Sequence, residues 1–233
     1  MTKRLVLSAL LLAACGGDDG AGSADAAPTA PPMITITGTA TSRSTSSNPL
    51  AGVTIAAYRN GDDSTIVAMT TSGSNGDYTL VVPTGGQALD GYLKGTISGY
   101  LDSYLYAPAP ITADMDSASM NMITGSTRDL LANTICAANQ MSTNGMIAAI
   151  AIDAAENPVA GAMISSSPAA SKTCYNQGGF PNKNATMTDT DGLVYLFNVT
   201  GQATLSATHA SATFSSHAVT ARAGAFTTTL LAP

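Results

Sequence analysis

One phrase occurs twice in this 233-residue chain, and it constrains the fold more than any other feature. NPLAGVTIAAY runs from Asn48 to Tyr58, and NPVAGAMISSS runs from Asn157 to Ser167. Proline cannot donate to a β-ladder and glycine tolerates turn conformations, so each phrase predicts a turn that leads into a strand. The repetition therefore predicts two copies of one structural unit.

Alternating segments surround the first copy. ITITGTA, which begins at Ile34, alternates apolar and polar residues, and VTIAAY from Val53 does so again. Alternation at period two is typical of half-buried β-strands. Asn60-Gly61 suits a tight hairpin, and STIVAMTT and DYTLVVP continue the pattern. The first half is therefore predicted to be a series of short strands.

The second copy has the same order of elements. GMIAAIAID precedes its turn phrase, AMISSS follows it, and Gly192 of TDTDG aligns with Gly76 of the first copy. The second copy also carries an insert within SKTCYNQGGFPNKN. Short strands at regular turn spacing predict a β-sandwich in each half.

These motifs carry a resemblance to a known family. The order of strand, N-P-x-A-G turn, strand and T-x-x-x-G-x-Y-like turn, followed by Gly99-Tyr100, resembles the carboxypeptidase regulatory-like domain. The resemblance implies a mainly β fold of two tandem seven-stranded sandwiches of the transthyretin- or immunoglobulin-like type. It also implies a module without catalytic zinc that serves bacterial surface proteins as a spacer, stalk or interaction unit. The second copy departs from the pattern because it lacks the Gly-Tyr element.

The segment between the copies, GSTRDLLANTICAANQMSTNG, has helical periodicity. Its apolar residues recur on one helical face: Leu130, Leu131, Ile135 and Ala138. Ser126 is a candidate N-cap, and we expect one linker helix over residues 128–139. The predicted boundaries are module 1 at 33–125, a helical linker at 126–144 and module 2 at 145–233.

The N-terminal sequence MTKRLVLSALLLAAC has the layout of a secretory signal. Its apolar stretch is too short to span a bilayer. The ending LAAC resembles the lipobox of bacterial lipoproteins, in which the leader is cut before the cysteine and that cysteine is acylated. We predict a signal peptide over residues 1–14 and lipidation of Cys15. The alternative is an ordinary secretory signal with an incidental cysteine.

The residues after the predicted lipidation site indicate where the body is held. Residues 15–32 are rich in Gly, Ala, Asp and Pro and have no apolar period, so they are predicted to form a disordered tether. Gly16, rather than an aspartate, follows the cysteine, which by resemblance to the sorting pattern of lipoproteins favours the outer membrane. The predicted location is the bacterial cell envelope, facing either the periplasm or the exterior.

The composition argues against one class of partner. The formal net charge is −6, only 10% of residues are charged, and no basic patch occurs. An acidic chain repels phosphate backbones, so nucleic-acid binding is not expected.

Two cysteines remain if Cys15 is lipidated. Cys136 lies in the predicted linker helix and Cys174 lies in the insert of the second copy. A leftover pair outside the cytoplasm most often forms a disulfide, which is the prediction here. The alternative is two free thiols.

Few residues suggest a metal or a catalytic centre. His209 and His217 lie in predicted strands without a carboxylate pattern around them, and a structural or surface role is preferred to zinc binding. The carboxylates of TDTDG and of Asp62-Asp63 lack the ligand count of a calcium loop and are interpreted as hairpin-turn residues. No metal site and no cofactor are expected.

Tyrosines cluster in GYLKGTISGYLDSYLYAP. Four of them have the same parity and would line one face of a sheet: Tyr92, Tyr100, Tyr104 and Tyr106. Such a face is a candidate for stacking on sugars or peptides. The preferred alternative is ordinary packing at the sandwich edge or against the second module.

Together these features favour a non-enzymatic cell-envelope lipoprotein that serves as an adhesion, scaffold or protein-interaction module. Its expected partners are the membrane, through a lipid anchor, and an envelope protein or glycan. One alternative is a carbohydrate- or peptide-binding surface lipoprotein that uses the tyrosine face. A further alternative is a hydrolase with an unrecognised site, although the chain contains no G-x-S-x-G or H-E-x-x-H motif.

Overall fold

The computed structural model describes residues 28–43 and 47–233, and the protein is mainly β. Within these residues, eight strands precede a helical segment: β1 (Met33–Arg43), β2 (Ser47–Pro49), β3 (Thr54–Arg59), β4 (Ala68–Thr71), β5 (Asp77–Pro83), β6 (Gly91–Thr96), β7 (Ser103–Tyr106) and β8 (Met120–Met122). Eight strands follow it: β9 (Gly145–Ala151), β10 (Met163–Ser167), β11 (Lys172–Gln177), β12 (Phe180–Asn182), β13 (Leu193–Val199), β14 (Gly201–Thr208), β15 (His217–Ala221) and β16 (Phe226–Leu231). The helical segment consists of α1 (Gly125–Asp129) and a π-helical turn (Leu130–Ile135).

The first half is built on the alternation seen in the sequence. In β1, Ile34 and Ile36 are buried whereas Thr35 and Thr37 are partly exposed. Antiparallel pairing with β5 places Ile36 opposite Leu80. Strands β2, β1, β5 and β8 form one sheet, which packs against β4–β3–β6–β7 around a core drawn from first-half residues alone.

The second half repeats these pairings. Six strands of each half correspond. In one sheet, β1 pairs with β5 and β8, just as β9 pairs with β13 and β16 in the second half. In the other sheet, β6 pairs with β3 and β7, just as β14 pairs with β10 and β15. The β1–β8 and β9–β16 pairs are both parallel, and the others are antiparallel. The repeated phrase therefore belongs to a repeated topology.

A buried hydroxyl explains why the phrase itself recurs. Ser72 donates to the carbonyl of Leu50 at 2.7 Å and accepts from the amide of Val53 at 2.9 Å. Thr188 makes the equivalent pair of bonds with Val159, at 2.7 Å, and with the residue after Gly161, at 2.9 Å. Each hydroxyl thus satisfies backbone groups of the N-P-x-A-G turn that cannot join a ladder.

The aligned glycines are required by close approach. Gly76 has φ +78°, and a Cβ there would lie 2.4 Å from the carbonyl oxygen of Ala40. Gly192 has φ +65°, and its Cβ would lie 2.6 Å from the oxygen of Ala151. Both positions therefore exclude any side chain, which confirms their equivalence.

The strand that follows the turn-phrase strand pairs differently in the two copies. In the first half β4 pairs with β3, whereas in the second half β11 pairs with β13 and so belongs to the opposite sheet. The insert forms the β11–β12 hairpin. With the short strands β2 in the first half and β12 in the second, each half has eight strands rather than the seven that the resemblance implies.

The two halves share one sheet. Strand β16 pairs in parallel with β9 on one side and with β7 on the other, and the result is a nine-stranded sheet of order β12–β11–β13–β9–β16–β7–β6–β3–β4. Unpaired edge strands leave backbone donors and acceptors exposed, and here the edges of the two halves satisfy each other. The expectation of two sandwiches joined only by a linker is therefore incomplete.

The smaller sheets lie on opposite faces of this shared sheet. Tyr104 pairs with Thr227, which pairs with Ile147, so the three lie on one face together with the β10–β14–β15 layer. Leu105 and Ala148 lie on the other face. That face carries the core of the first half and the helical segment.

The helical segment is shorter than the sequence predicts and begins earlier. Thr124, rather than Ser126, is the N-cap, and its hydroxyl accepts from the amide of Thr127 at 3.1 Å. The segment ends at Ile135 because the following residues include Ala137 with φ +53°, which no helix continues through.

Part of the predicted tether is ordered. The amide of Ala30 donates to Gly86 at 3.1 Å, and the amide of Ala88 donates to Pro28 at 3.0 Å. The Thr84 hydroxyl also donates to the carbonyl of Pro31. Residues 28–32 therefore lie against the β5–β6 loop, and the rest of the predicted tether lies outside the described residues.

Candidate functional site

Aromatic rings from the first half and an arginine from the second half meet at the junction. Arg222 follows β15, and its guanidinium carbon lies 4.4 Å from the ring centroid of Tyr92 and 4.3 Å from that of Tyr104. The rings of Tyr58 and Tyr92 stack with centroids 5.4 Å apart, and those of Tyr92 and Tyr106 lie 5.1 Å apart. We call these five residues the junction cluster.

Asp63 closes the junction cluster from the β3–β4 loop. The Nε and Nη2 atoms of Arg222 donate to its two oxygens at 3.2 and 2.7 Å, and the hydroxyl of Tyr92 donates to Oδ1 at 2.6 Å. The hydrogen bonds from Arg222 and then Tyr92 lower the pKa of Asp63. Burial lowers the pKa of Arg222, but its bonds to Asp63 and Tyr106 outweigh that effect and raise it. Both groups stay charged at neutral pH.

A cleft of about 290 Å³ opens beside the junction cluster, between the two halves. Asp90, Tyr106 and the loop 107–110 line it from the first half, and Gln202 and His217 line it from the second. These residues lie where β3 and β7 end and where β6, β14 and β15 begin. We call this space the junction cleft.

Asp90, Tyr106 and His217 are the titratable groups among the described residues that line the junction cleft. The Nε2 atom of His217 is buried and has no hydrogen-bond partner among the described residues. Burial lowers the pKa of His217, and the nearby Asp90 carboxylate opposes this without reversing it. The imidazole is therefore neutral at neutral pH. Asp90 accepts from Nδ2 of Asn60 at 2.6 Å through one oxygen.

The structure brings three of the four predicted tyrosines together. Tyr92, Tyr104 and Tyr106 keep only 4%, 6% and 2% of their surface exposed. Tyr100 lies elsewhere, and its hydroxyl donates to Ser42 at 3.1 Å. The three buried rings pack against the second half, which was the preferred alternative, and they offer no open face for stacking on a ligand.

Cys136 and Cys174 form a disulfide, as predicted, with their Cα atoms 5.8 Å apart. Cys136 follows the π-helical turn and Cys174 lies on β11. Both are fully buried beside Phe197 and Met146. The bond therefore fastens the helical segment to the strand that changed sheets in the second half.

The remaining candidates have local roles. Nδ1 of His209 accepts from the amides of Ser211 and Ala212, at 3.2 and 2.9 Å, so this residue caps a turn. It follows β14 rather than lying within a strand, in contrast to the prediction.

Within residues 28–43 and 47–233, no group of three or more His, Cys, Asp or Glu side chains could hold a metal.

The turn carboxylates are bound to backbone and amide groups. Hydrogen bonds from Thr65 and Ser64 lower the pKa of Asp62. Asp189 accepts from the amide of Gly178 at 2.6 Å, and Asp191 accepts from Nδ2 of Asn176 at 2.6 Å. These bonds hold the β3–β4 loop and the β11–β12 hairpin in place.

The predicted lipidation site, Cys15, and the signal peptide lie outside the described residues. Of the helices that the structure does describe, none has the length and apolar character needed to cross a membrane.

Sequence reasoning missed Arg222, Asp63 as its partner, and Asp90. Arg222 is one of only nine Lys and Arg residues in the chain, and that scarcity was a signal. Nothing in its local sequence, AVTARAGAF, identifies the partner, because Asp63 is 159 positions away.

Comparison with known proteins gives no family: no family model and no curated protein matches the chain. Solved structures similar to it include the shaft pilin SpaA from Lactobacillus rhamnosus GG, at 15% identity and a TM-score of 0.27, over 86% of this chain and 98% of that one. The minor pilin from Streptococcus agalactiae has 11% identity and a TM-score of 0.27 over 85% and 95% of the two chains. The major pilin RrgB from Streptococcus pneumoniae has 11% identity and a TM-score of 0.27 over 88% and 49%. At scores this low, no activity or partner of those proteins follows for this chain.

Proposed function

We propose that this protein is a non-enzymatic lipoprotein of the bacterial cell envelope that serves as an adhesion, scaffold or protein-interaction module. In this proposal Cys15 carries the lipid, the membrane is the outer membrane, and the two halves are carboxypeptidase regulatory-like modules. The LAAC motif supports the anchor, and the recurring N-P-x-A-G turn with its buried hydroxyl supports the modules.

The junction between the halves is the observation that carries the scaffold role. One sheet runs through both halves, and at about 4.8 Å between strands its nine strands span roughly 40 Å. The Arg222–Asp63 pair and the contacts of Arg222 with the rings of Tyr92 and Tyr104 join the two halves in addition to the β16–β7 pairing. A body built this way keeps its ends at a fixed separation, as a scaffold or a projecting adhesion module requires.

The hydrogen bonding of the ionisable groups at the junction also supports a structural role. The pKa values of Asp63, Tyr92 and Arg222 are all shifted, and these groups bind one another across the junction cluster. Perturbed pKa values often indicate catalytic sites, but structural ion-pair networks produce them too. Asp63, Tyr92 and Arg222 each have their hydrogen-bond partner inside the protein.

Acylation is tested by metabolic labelling with an alkyne-bearing fatty acid, followed by membrane fractionation. The wild-type chain should take up label and sediment with membranes, whereas Cys15→Ser should do neither. Cys174→Ser, which removes a different cysteine, is the matched control and should keep the label. Label retained by Cys15→Ser would contradict the anchor.

The scaffold role is tested by measuring the distance between the halves. Spin labels on the exposed residues Ser74 and Asn184, in a chain that carries Cys15→Ser, should give one narrow distance distribution by pulsed electron paramagnetic resonance. A broad distribution would mean that the halves move independently and that the body is no rigid scaffold. Attachment of cells to glycan-coated and uncoated surfaces, compared between wild type and Cys15→Ser, tests the adhesion role.

A further inference from the structure

We infer that the junction cleft is a binding site for a small neutral saccharide, about one sugar ring in size. This site shares only Tyr106 with the tyrosine face that the sequence suggested, and it does not depend on the lipid anchor or on the scaffold role. It is formed only where the two halves meet.

The size and position of the junction cleft fit a small ligand. Its volume of about 290 Å³ is just below the usual range of small-molecule sites, roughly 300–1,000 Å³. Ligand sites occur preferentially at domain interfaces, and the junction cleft lies between the two halves. The junction cleft is therefore large enough for a single sugar ring with its hydroxyl groups.

Several polar groups of the junction cleft have hydrogen-bonding capacity that no described residue uses. One carboxylate oxygen of Asp90 accepts from Asn60, and no described residue donates to the other oxygen. The side-chain amide of Gln202 and the hydroxyl of Thr220 also line the junction cleft without a described protein partner. Nε2 of the lining residue His217 is buried without a partner. The open oxygen of Asp90 only accepts, whereas the Gln202 amide and the Thr220 hydroxyl both donate and accept, so hydroxyl groups of a ligand can satisfy all three.

One wall of the junction cleft has a rigid backbone. Pro108 and Pro110 line it from the first half, whereas the side chain of Val219, another lining residue, is buried in the core. Prolines have a fixed φ and present no amide hydrogen, so this wall offers ring surface rather than donors. A pyranose ring presents C–H groups on one face and hydroxyls at its edge, which matches a cleft with apolar and polar sides.

Other small ligands fit less well. An anion would be repelled by Asp90, and the described lining includes no lysine or arginine to attract one. A cationic amine would find a single exposed carboxylate that already binds Asn60, and exposed ion pairs contribute little. An extended peptide needs backbone donors and acceptors along its length, and the prolines at 108 and 110 cannot donate.

The test is an NMR titration of the isotope-labelled chain carrying Cys15→Ser with glucose, galactose, N-acetylglucosamine and maltose. At least one saccharide should shift the resonances of Gly61, Gln202 and His217 saturably. The variants Asp90→Asn and Gln202→Ala should each weaken that binding about tenfold. Glu156→Gln removes an exposed charge outside the junction cleft and should leave the affinity unchanged.

Two results would overturn the inference. One is the lack of any saturable shift at the junction cleft up to tens of millimolar saccharide. The other is saturable binding of a simple diamine such as putrescine at the junction cleft with no saccharide response, which would assign the site to cations. Thermal unfolding of each variant separates lost binding from lost folding, and since none of these measurements involves the membrane, failure here leaves the scaffold proposal intact.

Discussion

Arg222 and Asp63 lie 159 positions apart and form a two-point ion pair across the junction, with Nη2 2.7 Å from Oδ1 and Nε 3.2 Å from Oδ2. The Arg222 side chain is only 16% exposed, because it is held between the rings of Tyr92 and Tyr104. Arg222 of the second half is therefore packed against rings and a carboxylate of the first half.

Replacing Arg222 by Ala should lower the free energy of unfolding by about 2 kcal/mol, from lost ring contacts and lost hydrogen bonds. Urea unfolding measures the change. Arg128→Ala is the matched control, because Arg128 also pairs with a carboxylate, that of its neighbour Asp129, at 2.7 Å. That local, partly exposed pair should contribute about 0–1 kcal/mol. Equal effects of the two variants would refute the special role of Arg222.

Breaking the disulfide should destabilise the second half. The bond closes a loop over a sequence separation of 38, which corresponds to about 4 kcal/mol in the chain-entropy account. The double variant Cys136→Ser, Cys174→Ser should therefore melt well below the wild type. Alkylation of unreduced protein, followed by mass spectrometry, checks the bond directly. Alkylation of both Cys136 and Cys174 would disprove it.

Removing the buried hydroxyl of either turn should lower the free energy of unfolding by a similar amount. Ser72→Ala and Thr188→Val each leave a buried amide and carbonyl without their partner, at a cost of about 1–3 kcal/mol. Ser74→Ala, at an exposed turn position, should change stability by less than about 0.5 kcal/mol. If only one of the two turn variants were destabilised, the equivalence of the turns would be in doubt.

Stability should fall in mildly acidic solution through His217. Burial lowers its pKa in the folded protein below the ordinary value of 6.5, while Asp90 and the Tyr106 ring are its near neighbours. The unfolded chain therefore binds a proton more readily, so this contribution is fully present above pH 6.5 and is lost as pH falls from there towards the folded-state pKa. His217→Gln should flatten the pH dependence of the free energy of unfolding in this window. An unchanged slope in His217→Gln would count against the assignment.

A fragment of residues 28–124 should unfold cooperatively by itself. Its core includes Ile36, Leu80 and Met120 and uses no residue of the second half. Its melting temperature should lie below that of the whole protein, because β7 loses β16 and the tyrosines lose Arg222. Circular dichroism during heating measures this, and a gradual transition would mean that the halves fold only together.

The sequence by itself determined the local elements and the repeat. The alternation around Ile34 and Ile36 was sufficient to predict β1, and the recurring turn phrase was sufficient to predict two equivalent units. Both signals depend only on residues that are neighbours in the sequence. The disulfide was also predictable, since Cys136 and Cys174 were the two cysteines left in the body of the chain.

Only the tertiary structure decided how the units join and where the candidate site lies. Strand β16 pairs with β7 because both are edge strands, and no sequence pattern specifies which edge meets which. That pairing buries Tyr104, brings Arg222 to Asp63 and creates the junction cleft between Asp90 and His217. The partners in these contacts are more than 100 positions apart, so their proximity depends on packing of the whole chain rather than on any local preference.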